Sequence, residues 1–118
     1  MHEMALVGNV VDIVVEHATV AQAKEVISVK LRIGELRDIV DDMMEKCFRY
    51  VAHGTVAENS ILIIEKVPIV LCCNECNTTL HMKLHTAQST QTICSKCGKS
   101  NFKILQGKEL YVEDIEII

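Results

Sequence analysis

The sequence predicts an α+β fold in which a small two-helix α/β domain, with a mostly antiparallel or mixed three-stranded sheet, is interrupted by an inserted ribbon. Three observations predict this fold. Apolar residues recur every three or four positions near the start of the chain, which is typical of an amphipathic helix. Apolar and polar residues then alternate, as in a half-buried strand. Two Cys-x-x-Cys pairs follow, and a strand-like segment lies beyond them.

The composition limits the classes of protein to consider. The 118 residues are 49% hydrophobic and 24% charged, which fits one compact domain or a small domain with a minidomain. The formal charge of -4 indicates no basic stripe for nucleic acid, and no apolar run approaches the length of a membrane span. We therefore expect no binding to nucleic acid or membrane. The sequence shows no secretory signal and contains several cysteines, so we expect a cytoplasmic protein.

The first two elements follow from hydrophobic periodicity. A helix is predicted from residue 2 to about residue 19. Its apolar stripe comprises Met4, Val7, Val11, Val14, Ala18 and Ala21. Valine lowers helix propensity, so this helix requires an apolar surface to pack against. The alternating residues 25–33 predict a strand that supplies this surface and ends at Gly34.

The second helix is expected to begin near Asp41, with Asp38 or Asp41 as its N-cap, and to end at Gly54. Its predicted buried stripe comprises Met44, Cys47, Phe48 and Val51. A polar loop leads to residues 61–67, which predict a strand, and Pro68 marks its edge or exit.

Four cysteines predict a structural zinc site. Cys73 and Cys76 form one pair, and Cys94 and Cys97 form the other. This spacing suits tetrahedral coordination of Zn²⁺ by four thiolates, with no open position for catalysis. A redox pair and a disulfide fit less well, because there are two pairs and no sign of an oxidising compartment. Cys72 leaves the register open, although Cys73 gives the two-residue spacing.

The zinc ribbon is predicted to occupy residues 69–103, inserted into a discontinuous domain of residues 1–68 and 104–118. His81 and His85 lie four residues apart between the cysteine pairs. They would share one face of a strand, where they could contact a metal, but we interpret them as solvated ribbon residues. With no Ser-His-Asp set, Gly-rich phosphate loop or open zinc site, the sequence predicts no enzyme.

The start of the chain, Met1-His2-Glu3, is a second candidate metal site. The α-amine of Met1, the amide nitrogen of His2 and its imidazole are adjacent donors that can close fused chelate rings. Glu3 could add an amide nitrogen or a carboxylate oxygen. A planar set of nitrogen and oxygen donors favours Ni(II) or Cu(II) over Zn²⁺. By itself a histidine at position two is more often a surface residue.

In combination, these motifs resemble a known family over essentially the whole chain. They are the starting M-H-E-M-A-L, then K-L-R-I-G-E-L, H-G-T, the paired cysteines, and Q-G-K-E-L-Y-V-E-D-I-E-I at the end. The chain is similar to the HypA/HybF family of [NiFe]-hydrogenase maturation proteins. The resemblance implies a nickel metallochaperone that works with a HypB-type GTPase and delivers Ni(II) to the hydrogenase large subunit, as a monomer or homodimer.

The resemblance also implies residue roles. His2 would be the essential nickel ligand of the chaperone, with Glu3 assisting, and the four paired cysteines would bind zinc. The extra Cys72 departs from the family pattern. The alternative interpretation is a zinc-ribbon adaptor for protein–protein interaction, in which the Met-His-Glu start has no nickel role.

Overall fold

The computed structural model describes residues 3–82 and 93–118. The helices are α1 (Glu3–Val20), a short 3-10 helix (Glu35–Arg37) and α2 (Asp41–Ala52). The strands are β1 (Val26–Gly34), β2 (Ile61–Val67), β3 (Ile69–Cys73), β4 (Thr79–Met82), β5 (Phe102–Gln106) and β6 (Leu110–Ile117). They form two three-stranded sheets, in the orders β2-β1-β6 and β4-β3-β5. The predicted α+β class is therefore confirmed.

The chain separates into two compact units. The first unit comprises Met1–Arg32, Asp38–Glu65 and Leu110–Ile118, and the second comprises Ile33–Arg37 and Lys66–Glu109. The assignment of residues 1–68 plus 104–118 and of residues 69–103 to two functional domains remains a prediction. None of the described helices combines the length with the apolar character that a membrane span requires.

In the first unit, α1 packs against α2 and β6. Its buried face comprises Val7, Val10, Val11, Val14 and Ala18. Met4 and Ala21, which the periodicity placed on this stripe, are exposed. Met4 lies in the first helical turn and Ala21 lies beyond the last, so the buried stripe runs from Val7 to Ala18.

Strand β1 has one apolar and one charged face, as the alternation predicts. Val29 and Leu31 are fully buried. On the other face, Lys30 Nζ lies 3.1 Å from Glu65 Oε2 on β2 and 3.4 Å from Glu113 Oε2 on β6. The hydrogen bond from Lys30 lowers the pKa of Glu65, and the hydrogen bond to Glu65 raises the pKa of Lys30.

Helix α2 buries Met44, Cys47, Phe48 and Ala52. Its N-cap is Val40, which makes no side-chain capping hydrogen bond, so the predicted Asp38 or Asp41 cap is wrong. Asp41 is already the first helical residue, where its charge still favours the positive helix end. Val51 is half-buried rather than buried. Ala52 completes the stripe instead, because it lies four residues after Phe48.

In the second unit, β3 is the central strand and pairs antiparallel with β4 and β5. Leu71 lies opposite Ile104, but the preceding Val70 lies opposite Gln106. Leu105 is therefore an extra residue in β5, which makes it a β-bulge.

The segment Ile33–Arg37 belongs to this second unit because it contacts the chain just before β6. The Gly34 N–H donates to the Glu109 carbonyl at 2.7 Å, and the Leu36 N–H donates to the Gly107 carbonyl at 2.9 Å. A Cβ atom at Gly34 would lie 2.0 Å from the Gly107 carbonyl oxygen. Only glycine permits this approach of two backbones.

Candidate metal centre

The first cysteine pair lies on a tight turn at the end of β3, and we call each Cys-x-x-Cys turn a knuckle. The Cys73 N–H donates to the Thr78 carbonyl at 2.8 Å, and the Asn77 N–H donates back to the Cys73 carbonyl at 2.8 Å. Asn77 adopts a left-handed φ of 60°. Asparagine tolerates this conformation better than most residues do. These bonds hold Cys73 and Cys76 on one side of the turn.

The turn that carries the second pair has the same two backbone hydrogen bonds as the first. The Cys94 N–H donates to the Lys99 carbonyl at 2.8 Å, and the Gly98 N–H donates to the Cys94 carbonyl at 2.9 Å. Gly98, in the position equivalent to the asparagine, has a φ of 73°. The sequence spacing around Cys97 thus produces a second knuckle with the same geometry.

The two knuckles bring four sulfurs together. The Sγ atoms of Cys73, Cys76, Cys94 and Cys97 all lie within 4.8 Å of one another. Cys73 is 3.5 Å from Cys97, and Cys76 is 3.5 Å from Cys94, so each close pair joins the two knuckles. Zn–S bonds of about 2.3 Å in a tetrahedron place sulfurs about 3.8 Å apart. The donor set and its spacing therefore fit Zn²⁺.

The pKa values of these thiols reflect the negative charge that four thiolates would bring together at the centre. Hydrogen bonds from the Thr78 side chain and backbone lower the pKa of Cys76 to about 6. The Lys99 backbone N–H lowers the pKa of Cys97, but desolvation and the neighbouring sulfurs outweigh it and raise this pKa to about 12. Without a cation, four thiolates at this spacing would repel one another, and a bound divalent ion would compensate that repulsion.

Cys72 does not belong to the cluster. Its side chain is buried, and its Sγ lies 3.8 Å from the Cys73 carbonyl oxygen. Successive side chains of a strand point to opposite faces, so Cys72 and Cys73 cannot both face the knuckles. His81 on β4 is exposed and lies outside the cluster, opposite Val70. His85 lies outside the described residues.

Of the predicted N-terminal set, Met1 and His2 lie outside the described residues. Glu3 is the first residue of α1, and its side chain is half-buried. A carboxylate at this position lies at the positive end of the helix dipole.

Sequence reasoning missed the polar residues that support the knuckles. The Thr78 hydroxyl oxygen lies 3.2 Å from Cys76 Sγ. Asn74 links the first knuckle to Asn101, which lies just before β5. The Asn74 backbone N–H donates to the Asn101 carbonyl at 2.9 Å, and its side-chain amide donates to Asn101 Oδ1 at 3.0 Å. The available signal was the short polar residues that flank each pair.

Comparison with known proteins gives consistent matches over the whole chain. A family model described as hydrogenase/urease nickel incorporation, metallochaperone, hypA, matches residues 1–117. The chain is 33% identical over 122 residues to a hydrogenase maturation factor HypA of Lawsonia intracellularis, with 99% of each chain covered. It is 35% identical over 117 residues to the protein of the same name in Chloroflexus aggregans, with 98% of each chain covered.

Solved structures agree with these matches. The chain resembles the solution structure of the Ni metallochaperone HypA from Helicobacter pylori, with a TM-score of 0.68 and 26% identity, covering 100% of this chain and 98% of that one. A second solution structure, of HypA protein, gives a TM-score of 0.72 at 26% identity, covering 100% and 97%.

Proposed function

The chain belongs to the HypA family of hydrogenase/urease nickel-incorporation metallochaperones, and on this premise we propose that it binds Ni(II) at its N-terminus and helps insert the ion into the large subunit of [NiFe] hydrogenase. The observation that carries the proposal is the family match over residues 1–117. This match begins at Met1 and therefore includes the Met-His-Glu start.

The proposed nickel ligands are the α-amine of Met1, the amide nitrogen and imidazole of His2, and Glu3. A cation at the start of a helix is opposed by the helix dipole. The anionic Glu3 carboxylate and a deprotonated amide nitrogen would offset this opposition by adding negative charge. Nitrogen and oxygen donors in a plane suit Ni(II), whereas the four sulfurs of the cysteine cluster suit Zn²⁺.

The proposed role of the cysteine cluster is structural. Cys73, Cys76, Cys94 and Cys97 would hold Zn²⁺, which neutralises their charge and ties the two knuckles together when bound. The function thereby divides between a nickel domain of residues 1–68 and 104–118 and a zinc ribbon of residues 69–103.

A carrier of metal ions must contact a donor and an acceptor. The proposed partners are a HypB-type GTPase and the hydrogenase large subunit, which the chain would meet in the cytoplasm as a monomer or homodimer. None of the six cysteines is paired in a disulfide, which suits a reducing compartment. Pull-downs that recover unrelated proteins instead of these two would favour the zinc-ribbon adaptor.

Nickel titration of the untagged, zinc-loaded chain tests the proposal. We expect the wild-type chain to bind about one Ni(II) in addition to zinc. The His2→Ala variant should lose nickel and retain zinc. The matched control is His17→Ala, which replaces an exposed histidine in the last turn of α1. Extension of the N-terminus by a tag should mimic His2→Ala, because the α-amine becomes a peptide nitrogen. Undiminished nickel binding by His2→Ala would refute the site.

The pH dependence of nickel binding gives an independent check. Ligands must lose protons to bind, so nickel affinity should fall as pH decreases. Protonation of the His2 imidazole begins to compete near its reference pKa of about 6.5. Affinity that did not change across this range would exclude an imidazole ligand.

A further inference from the structure

The two units carry charges of opposite sign. The second unit contains seven Lys and Arg residues against three Asp and Glu residues, whereas the first contains five against thirteen. The net charge of -4 for the whole chain hides this contrast. Four thiolates around a divalent zinc ion would reduce the excess of positive charge in the second unit from four to two, so its sign would not change.

Much of this positive charge lies in residues 93–108, which we call the lysine segment. This segment contains four lysines and no Asp or Glu. The lysines are Lys96, Lys99, Lys103 and Lys108, all of them exposed. One ion pair engages the segment among the described residues. Lys99 Nζ lies 3.8 Å from Glu75 Oε2, and its side chain is 63% exposed, so this contact neutralises it weakly.

The lysine segment also exposes apolar side chains. Ile93 is 57% exposed, Ile104 41% and Leu105 51%. Ile104 and Leu105 follow Lys103 directly on β5, which is an edge strand of its sheet among the described residues. Cationic and apolar residues therefore follow one another in sequence along this edge strand of the second unit.

Protection against aggregation explains part of this arrangement. Edge strands are commonly blunted by lysines and by β-bulges, and β5 has both. Protection does not explain Ile104 and Leu105, because exposed apolar residues on an edge promote association. It also does not explain the lysines in the second knuckle, Lys96 and Lys99, which precede the strand.

We infer that the lysine segment is a docking surface for an acidic, extended segment of another protein. Carboxylates of the partner would meet the lysines, while its apolar side chains would cover Ile104 and Leu105. Nucleic acid fits less well, because single strands bind by stacking on exposed aromatic rings. The one aromatic residue of the lysine segment, Phe102, is half-buried.

The β-bulge sets the expected strength of this interaction. Main-chain pairing to a partner strand can extend along Phe102–Ile104 before Leu105 interrupts the ladder. Because main-chain pairing covers only three residues, most of the affinity must come from charge and apolar contacts. Binding should therefore be modest and should weaken strongly with salt.

Chemical-shift mapping on the full-length, zinc-loaded and nickel-free chain tests this docking surface. The probe is a capped eight-residue peptide in which Glu alternates with Val. We expect saturable shifts concentrated in residues 93–108, which decrease sharply at about 0.5 M salt. Lys103→Glu and Lys103→Gln should weaken binding about tenfold and about threefold. The matched control, Lys46→Glu, reverses an exposed lysine of the first unit and should bind as the wild type does.

Three results would overturn the inference: shifts located in the first unit, equal binding of Lys103→Glu and wild type, or equal binding of a Lys-Val peptide. Binding of oligothymidylate to residues 93–108 without binding of the Glu-Val peptide would also overturn it, in favour of nucleic acid. Because nickel is absent, failure here leaves the proposed nickel function untouched.

Discussion

The two units reach stability by different means. Among the described residues, fourteen buried apolar side chains belong to the first unit and seven to the second, and three of those seven are cysteines. In the first unit α1 packs against α2 and β6, whereas the described part of the second unit is built mainly from three short strands and the two knuckles. A core of this size seldom supports a fold alone, so we expect the second unit, and not the first, to depend on a metal at the four-sulfur centre.

Loss of zinc gives the largest expected effect. Removal of zinc by a chelator, or Cys76→Ala, should unfold the second unit, because metal binding there is folding free energy. Helix α1 and helix α2 should persist. Circular dichroism reports the helices, and amide spectra report each unit separately.

The control for this experiment is Cys72→Ala, which removes a buried thiol outside the cluster. We expect it to retain zinc and the dispersed amide signals of the second unit. Equal loss of both units in Cys76→Ala would show that they fold as one and that the first unit also needs the metal.

Phe48→Ala tests whether the first unit is stabilised by its apolar core. Phe48 is fully buried in the first unit, so its truncation should reduce the free energy of unfolding by about 3–5 kcal/mol. Zinc content should not change. Urea denaturation followed by helical signal measures the effect, and Tyr50→Ala, at a residue that is 76% exposed, is the control. A similar loss in both variants would contradict the assigned core.

Gly34 and Gly8 differ in the space available for a side chain. Gly34→Ala would place a Cβ against the Gly107 carbonyl and should cost about 2–3 kcal/mol in thermal unfolding. A methyl group added at Gly8 would have no atom within 4 Å outside its own helix, so Gly8→Ala should stabilise α1 by about 1 kcal/mol. The same sign for both changes would argue against the backbone contact.

The smallest effect is expected at the charged face of β1. Because Lys30 lowers the pKa of Glu65, the ionised Glu65 stabilises the fold above its unfolded pKa, and this contribution is lost as pH falls through the folded pKa. Glu65→Gln should therefore be slightly less stable than wild type at neutral pH and nearly equal in acid.

Glu16→Gln, at an exposed residue of α1, serves as the control. Its thermal unfolding gives the reference for replacing an exposed carboxylate by an amide. A gap between Glu65→Gln and wild type that widened in acid would reverse the assigned sign.

The sequence predicted those features that depend on local pattern. Valine periodicity gave α1, and alternation gave β1, because each buried face repeats with the geometry of its own element. The N-cap failed because Asp41 satisfied the composition rule for a cap but lies one residue inside the helix. Capping depends on where the backbone turns, which composition does not determine.

Features that depend on distant segments were not predictable from one sequence. Gly34 was expected to end a strand, but its close neighbour is Gly107, far along the chain. The bulge at Leu105 depends on the register with β3. At the metal centre, cysteine spacing identified which sulfurs assemble, while the contact of Thr78 with Cys76 required the folded turn.

We expect two metals to occupy chemically distinct sites, sulfur-bound zinc in the second unit and N-terminal nickel in the first. X-ray absorption at both metal edges, on one untagged sample loaded with zinc and nickel, distinguishes these sites. The zinc spectrum should show four sulfurs at about 2.3 Å, and the nickel spectrum should show nitrogen and oxygen without sulfur. Sulfur in the nickel shell, or mainly nitrogen and oxygen around zinc, would contradict this expectation.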